Sequence, residues 1–160
     1  MPDSGTFVTG LITASKNNIG ILGVAYNAVA RFGAGYFLGP AGDTDVINLS
    51  FSNRPTFGTS PTKTYDNEDT IWGNGQDRSS RTDHVALKYE LAARTGRGGL
   101  GSVTLASSGN QRLNFARSDA TRLANDRHTM SIGAHNEQLV SAYFSSLGAC
   151  VHVSCPGMDM

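Results

Sequence analysis

The chain has 160 residues, enough for one domain with a sizeable core, and residues 1–160 read as a single domain. Its 13 basic and 13 acidic residues cancel, which removes the electrostatic case for nucleic acid or an anionic membrane surface as partner. Nineteen glycines and 16% charged residues mark a loop-rich composition, and no apolar run reaches the ~18 residues of a membrane span.

Met1-Pro-Asp-Ser4 opens without a basic segment or an apolar stretch, so no export signal is read there and a soluble chain is expected. Gly5 to Ala14 places Phe7, Val8, Leu11 and Ile12 at helical spacing, with Ser4 or Thr6 positioned to cap the helix. Lys16 to Gly20 reads as a turn. Ile21 to Phe32 reads as extended chain, with a strand expected at Ala28–Phe32. Gly33 to Gly42 breaks both helix and strand patterns. Asp45 to Ser50 is a short apolar run rich in β-branched residues, which predicts a buried strand. Ser52 to Arg81 is a long polar excursion, and loops of this length tend to be functional or disordered.

Asp83 to Arg94 is the clearest helix. Thr82 or Asp83 stands at its cap, Val85, Ala86, Tyr89, Ala92 and Ala93 share one face, and Gly96 stops it. Val103 to Ser107 is a strand, Gln111 to Asp126 a second polar excursion, and His128 to Ala134 another strand with which Val140–Ser145 pairs locally. Ala149 to Ser154 is the last strand, ended by Pro156-Gly157. Strand, helix, strand in this order implies parallel neighbours, so the fold class is α/β, a mainly parallel sheet flanked by helices.

Few side chains cluster into chemistry. On a strand, Cys150 and Cys155 lie about 16 Å apart at ~3.3 Å per residue, against the roughly 4.4–6.8 Å of a disulfide, so they read as small apolar residues of a buried strand. His84, His128, His135 and His152 form no zinc-binding spacing. His152 and Cys155 are three apart on one strand and point to opposite faces, which rules against a dyad. Asp66, Glu68 and Asp69, with Asp77 nearby, read either as oxygen ligands for calcium or as a solvated acidic loop. Gly96-Arg-Gly-Gly-Leu-Gly101 follows a helix and precedes a strand, the reverse of the phosphate-loop order, and reads as a tight connector.

Gly101-Ser-Val-Thr-Leu-Ala-Ser-Ser-Gly-Asn110, with the glycine-rich connector before it, resembles the oxyanion-asparagine segment of subtilisin/kexin-like serine proteases, the subtilases. Ser4-Gly-Thr-Phe-Val-Thr-Gly10 is similar to that family's His-Gly-Thr-x-Val-x-Gly motif, with Ser4 in the place of the catalytic histidine. Asp45-Val-Ile-Asn-Leu-Ser50 resembles the strand lining the substrate cleft. Thr129–Ala134 and Tyr143–Ser146 resemble later sheet elements. Val151-His-Val-Ser-Cys-Pro-Gly157 resembles the strand before the nucleophile helix. The resemblance implies a partial subtilisin-like fold with one helix missing, because Gly33–Asp45 with Pro40 is a poor helix. The sheet surface so uncovered is expected to be apolar, and a second copy of the chain is the partner expected to cover it.

The resemblance also assigns roles. Asn110 is the expected oxyanion donor. Ser50, Phe51 and Ser52, facing Ser107, Ser108 and Gly109, are the expected peptide-binding edges, where a peptide adds as a strand. Neither the family's aspartate, expected before Met1, nor its Gly-Thr-Ser nucleophile motif, expected after Gly157, stands in these residues. Ser4 cannot serve as the base, since a hydroxyl accepts no proton near neutral pH. The resemblance therefore implies a hydrolase domain by descent, inactive as a protease. Two other readings stand beside it: a repurposed ester or lactone hydrolase using Asn110, metal-dependent or not, and a non-catalytic peptide-binding module. Asn110 also reads, without any site, as a turn residue. No cofactor is required; calcium is the one ligand the family raises. Export to a secreted or periplasmic location is implied by the resemblance alone.

Overall fold

The computed structural model describes residues 4–31, 44–50, 81–114, 116–121 and 123–158, without the side chains of residues 4, 81–86, 114 and 120. Two units, Met1–Gly39 and Pro40–Met160, are distinct, and each is described by itself.

In the first unit, helix α1 spans Ser4–Thr13. Thr9 Oγ1 donates to Gly5 O at 2.7 Å and Thr13 Oγ1 to Thr9 O at 3.1 Å, the back-bonding by which threonine is accommodated inside a helix. Thr6 sits within the helix and does not cap it. The strand expected at Ala28–Phe32 is not formed over residues 21–31, where the backbone turns at residues 24–27. The reason lies in the helix end. Gly23 N donates to Ala14 O at 2.9 Å, Val24 N to Leu11 O at 3.1 Å and Ala25 N to Ile12 O at 2.7 Å. The carbonyls left orphaned at the end of α1 are satisfied by residues 23–25, and Ala28 N, the first amide of the expected strand, closes a turn on Ala25 O at 2.8 Å.

The second unit is built on a four-stranded sheet in the order β1-β2-β3-β4, with β1 Val46–Leu49, β2 Val103–Ser107, β3 Thr129–His135 and β4 Val151–Pro156. Every neighbouring pair is parallel, so the α/β class and the parallel sheet stand as read. Val46 is opposite Val103, Leu49 opposite Ala106, and Thr104 opposite Thr129. Period-two alternation puts Ile47, Leu49, Thr104, Ala106, Ser108, Thr129 and Ser131 in the interior, while Val46, Val103 and Met130 point outward and are exposed. Asp45–Ser50 is thus a half-buried edge strand, not the fully buried strand expected.

Helix α2, Arg81–Gly99, precedes β2 and packs on it, burying Tyr89 and Ala92. Its helical backbone stops at Gly96 (φ −59°, ψ 157°), as the sequence predicts. Ser102 N returns to Ala92 O at 3.0 Å and Gly101 N to Gly96 O at 2.8 Å, so the connector folds back on the helix end. Gly101 (φ 81°) lies against Ala93 O with no room for a Cβ.

After β2 the chain runs through two 3₁₀ turns, Arg112–Asn114 and Ser118–Ala120, into β3. The local pairing expected for Val140–Ser145 is present: His135 bridges Ser141 antiparallel, and Ala142 N donates to Ala134 O at 2.8 Å. β4 is the other sheet edge and is mostly exposed, so the buried strand expected at Ala149–Ser154 is corrected in position and burial. Cys150 precedes it, half-buried, with Sγ 3.3 Å from Ser118 Oγ; Cys155 is exposed, and both are free thiols. The stretch expected to lack a helix, residues 33–45, lies almost wholly outside the described residues.

Candidate functional site

Parallel strands all end on one edge of their sheet, and in α/β folds ligands are held at that carboxyl edge. Here the edge gathers the residues after β1, β2 and β3. Ser50 follows β1, exposed, its Oγ accepting from Asn48 Nδ2 at 2.8 Å. Since Leu49 pairs with Ala106, Ser50 leaves the sheet beside Ser107, the last residue of β2. Two of the expected peptide-binding edges are therefore neighbours by register.

The four residues Ser107–Asn110 are held in different ways. Ser107 Oγ accepts from Gly109 N at 3.1 Å, closing a small turn. Ser108 is buried; its N donates to Ile132 O at 2.9 Å and its Oγ lies 3.2 Å from Ser145 Oγ. Its hydroxyl faces inward, which leaves only its backbone for a ligand. Gly109 has φ 103°, a conformation that other residues enter only with strain, and it swings the chain out of the sheet. Asn110 is exposed at the bend, and among the described residues its side-chain amide has no hydrogen-bond partner. The turn is made by Ser107 and Gly109, so the Asn110 side chain is not spent on it.

A loop after β3 closes over this segment. Ser146 N donates to Gly109 O at 2.9 Å, and Ser146 Oγ accepts from Gln111 N at 3.3 Å. Arg112 N donates to Phe144 O at 3.1 Å, and Arg112 Nη1 reaches Ser141 Oγ at 3.2 Å and Ala142 O at 3.5 Å. Ser145 Oγ accepts from Ala134 N at 3.0 Å besides its contact with Ser108. Ser145 and Ser146 are both buried. Neither these serines nor Arg112 was singled out from the sequence. The signal was there in Tyr143-Phe-Ser-Ser146, read only as a sheet element.

The other candidates are placed as follows. Ser4 begins α1 in the first unit, its side chain outside the described residues. Phe51, Ser52, Asp66, Glu68 and Asp69 lie outside them too. Among the described residues no three of His, Cys, Asp and Glu come together as a metal site. His128 Nδ1 sits 3.1 Å from Asp126 Oδ1, and His152 Nδ1 accepts from Ser131 N at 3.2 Å at a register slip between β3 and β4. Further along, Arg117 Nε and Nη2 donate to Asp119 Oδ1 and Oδ2 at 2.9 and 2.7 Å. That two-pronged bond from Arg117 holds the Asp119 carboxyl below its ordinary range.

A parallel sheet with a polar, exposed site at its strand ends is the arrangement of α/β enzymes. Within that class the chain belongs to the subtilase family, the peptidase S8 family, whose model matches residues 4–159. The match runs from the Ser4 motif through the Asn110 segment to the residues after β4. No curated protein matches the chain. Membership makes it a serine-peptidase-like hydrolase domain, a family that requires no cofactor.

Proposed function

We propose that this subtilase domain binds a peptide or small acyl group at the carboxyl edge of its sheet and does not by itself cleave peptide bonds. The observation that carries this reading is the side-chain amide of Asn110, exposed and without a partner among the described residues, on a segment fastened on both sides. Such an amide donates to a carbonyl oxygen or to the oxyanion it becomes, a contribution on the order of 10²–10³ in rate where a nucleophile is present. The base is what this chain lacks: Ser4 stands where the family has histidine, and its hydroxyl takes no proton near neutral pH. A peptide would lie across the carboxyl edge that Ser50–Ser52 and Ser107–Gly109 form side by side, bonding their free backbone groups, with Phe51 lining a side-chain pocket.

The same free amide favours a second reading, hydrolysis of an activated ester or lactone. Activated acyl groups need less assistance than amides, and water would supply the attack, with a metal ion, if one were bound, serving to make that water more acidic. Calcium, if bound by Asp66, Glu68 and Asp69, would serve the loop that carries them.

The test is turnover of a short fluorogenic peptide amide and of a p-nitrophenyl ester, together with peptide binding by calorimetry. Wild type is compared with Asn110→Ala, in calcium and in EDTA. No amide turnover and a saturable peptide affinity that falls tenfold or more in Asn110→Ala are expected; ester turnover that falls with it would favour the second reading. Amide cleavage by the wild type, or binding and turnover both indifferent to Asn110→Ala, would sink the proposal.

A further inference from the structure

We propose that Ser146 is the positioning residue that sets the Asn110 side chain in place. It bonds both peptide groups that flank Asn110. Its N–H donates to Gly109 O at 2.9 Å and its Oγ accepts from Gln111 N at 3.3 Å. Among the described residues Asn110 makes no hydrogen bond through its own N–H or C=O, and the residue before it is a glycine with φ 103°, the least restrained residue type. A side chain following a glycine hinge held only through its N–H, by Ser107 Oγ, would sample many orientations. Two bonds from one buried residue, one on each side, fix the backbone from which the amide projects, and so narrow that range without touching the amide. Arg112 adds a second fastening two residues on, through Phe144 O, Ser141 Oγ and Ala142 O, so residues 141–146 form a strap across residues 109–112. Ser145 does a different job: its hydroxyl joins Ala134 N and Ser108 Oγ, the ends of β3 and β2, and reaches neither neighbour of Asn110.

The role of Asn110 rests on the function proposed above; the fastening of its segment does not, and the experiment separates the two. Amide hydrogen exchange is followed by NMR on the ¹⁵N-labelled chain for wild type, Ser146→Ala and Ser145→Ala. Losing the Ser146 hydroxyl is expected to speed exchange at Gln111 on the order of fivefold to tenfold, the worth of one such bond, with β2 and β3 unchanged. Ser145→Ala is expected to speed Ala134 and spare Gln111. Peptide affinity is then measured for Ser146→Ala in the wild-type and Asn110→Ala backgrounds. A loss of threefold or more that vanishes when Asn110 is already alanine shows that Ser146 acts through Asn110. Unchanged Gln111 exchange, or an equal loss in both backgrounds, overturns the assignment. Faster Gln111 exchange with an affinity indifferent to Asn110→Ala upholds the fastening and overturns the use of Asn110.

Discussion

Thr104 and Thr129 face each other across β2 and β3 with their hydroxyls sealed in the interior, 1% and 3% exposed, and neither Oγ1 has a hydrogen-bond partner among the described residues. Burying an unpaired hydroxyl costs about 1–3 kcal/mol by protein mutational data. Valine keeps the branched shape, exchanges the hydroxyl for a methyl and suits a strand at least as well. Thr104→Val and Thr129→Val are each expected to raise the unfolding free energy by about 1 kcal/mol, the low end of that range, because the methyl must fit a space shaped for oxygen. As direct neighbours the two changes need not add, and the double variant is expected to gain about 1.5–2 kcal/mol. Ser131, also buried and unpaired, is the weaker case, since Ser131→Ala leaves a small void that offsets the gain. The assay is urea unfolding at neutral pH. With a slope of about 1–3 kcal/mol/M, each single valine variant moves the midpoint up by roughly 0.3–1 M with the slope unchanged. A midpoint that falls in both single variants would mean that these hydroxyls are hydrogen-bonded in solution, and the reasoning from unpaired burial would be wrong.

Two further outcomes follow from backbone and charge. Gly101→Ala is expected to destabilise by about 2–4 kcal/mol in the same urea assay, because φ 81° strains any side chain and the new Cβ meets Ala93 O; Gly98→Ala (φ 67°, open space around the Cβ) is expected to lose only about 1–2 kcal/mol. Equal losses would refute the steric part of the argument. Asp119, its carboxyl held below the ordinary range by Arg117, contributes stability that is present above the unfolded carboxylate's pKa of about 3.9 and is lost as pH falls through the lower folded value. Wild type should therefore lose stability relative to Asp119→Asn as pH drops below about 4, read as converging thermal midpoints; midpoints that stay parallel down to pH 2 would count against the pair. The exposure of Arg117 keeps this contribution small.

The elements legible in the sequence were those whose pattern is local. Tyr89 and Ala92 at helical spacing, with Gly96 behind them, define α2 without reference to anything else, and Val103–Ser107 between the glycines and Ser-Gly-Asn defines β2. What failed depended on neighbours. The run Ile21–Phe32 has a strand's composition, but composition does not say that residues 23–25 fold back on the end of α1 and that Ala28 N closes a turn on Ala25 O. Asp45–Ser50 and Ala149–Ser154 were expected to be buried because they are apolar. They form the two edges of the sheet, and a strand's place in the sheet order is not written in its own residues. The site divides in the same way. Asn110 is visible in the Ser-Gly-Asn segment, whereas Ser146 matters only through bonds to residues 35 or more positions away.

That division bears on how such a domain can lose one part of its chemistry and keep another. The bonds that hold the Asn110 segment run among residues 107–112, 132 and 141–146, all within the Pro40–Met160 unit. A histidine's base function resides in one side chain, so one substitution removes it at a stroke. The holding arrangement proposed around Asn110 resides in a sheet edge, a glycine turn and a strap of backbone bonds, so no one side chain carries it. Loss of cleavage with retention of binding, as proposed above, is therefore the easier order of decay than the reverse.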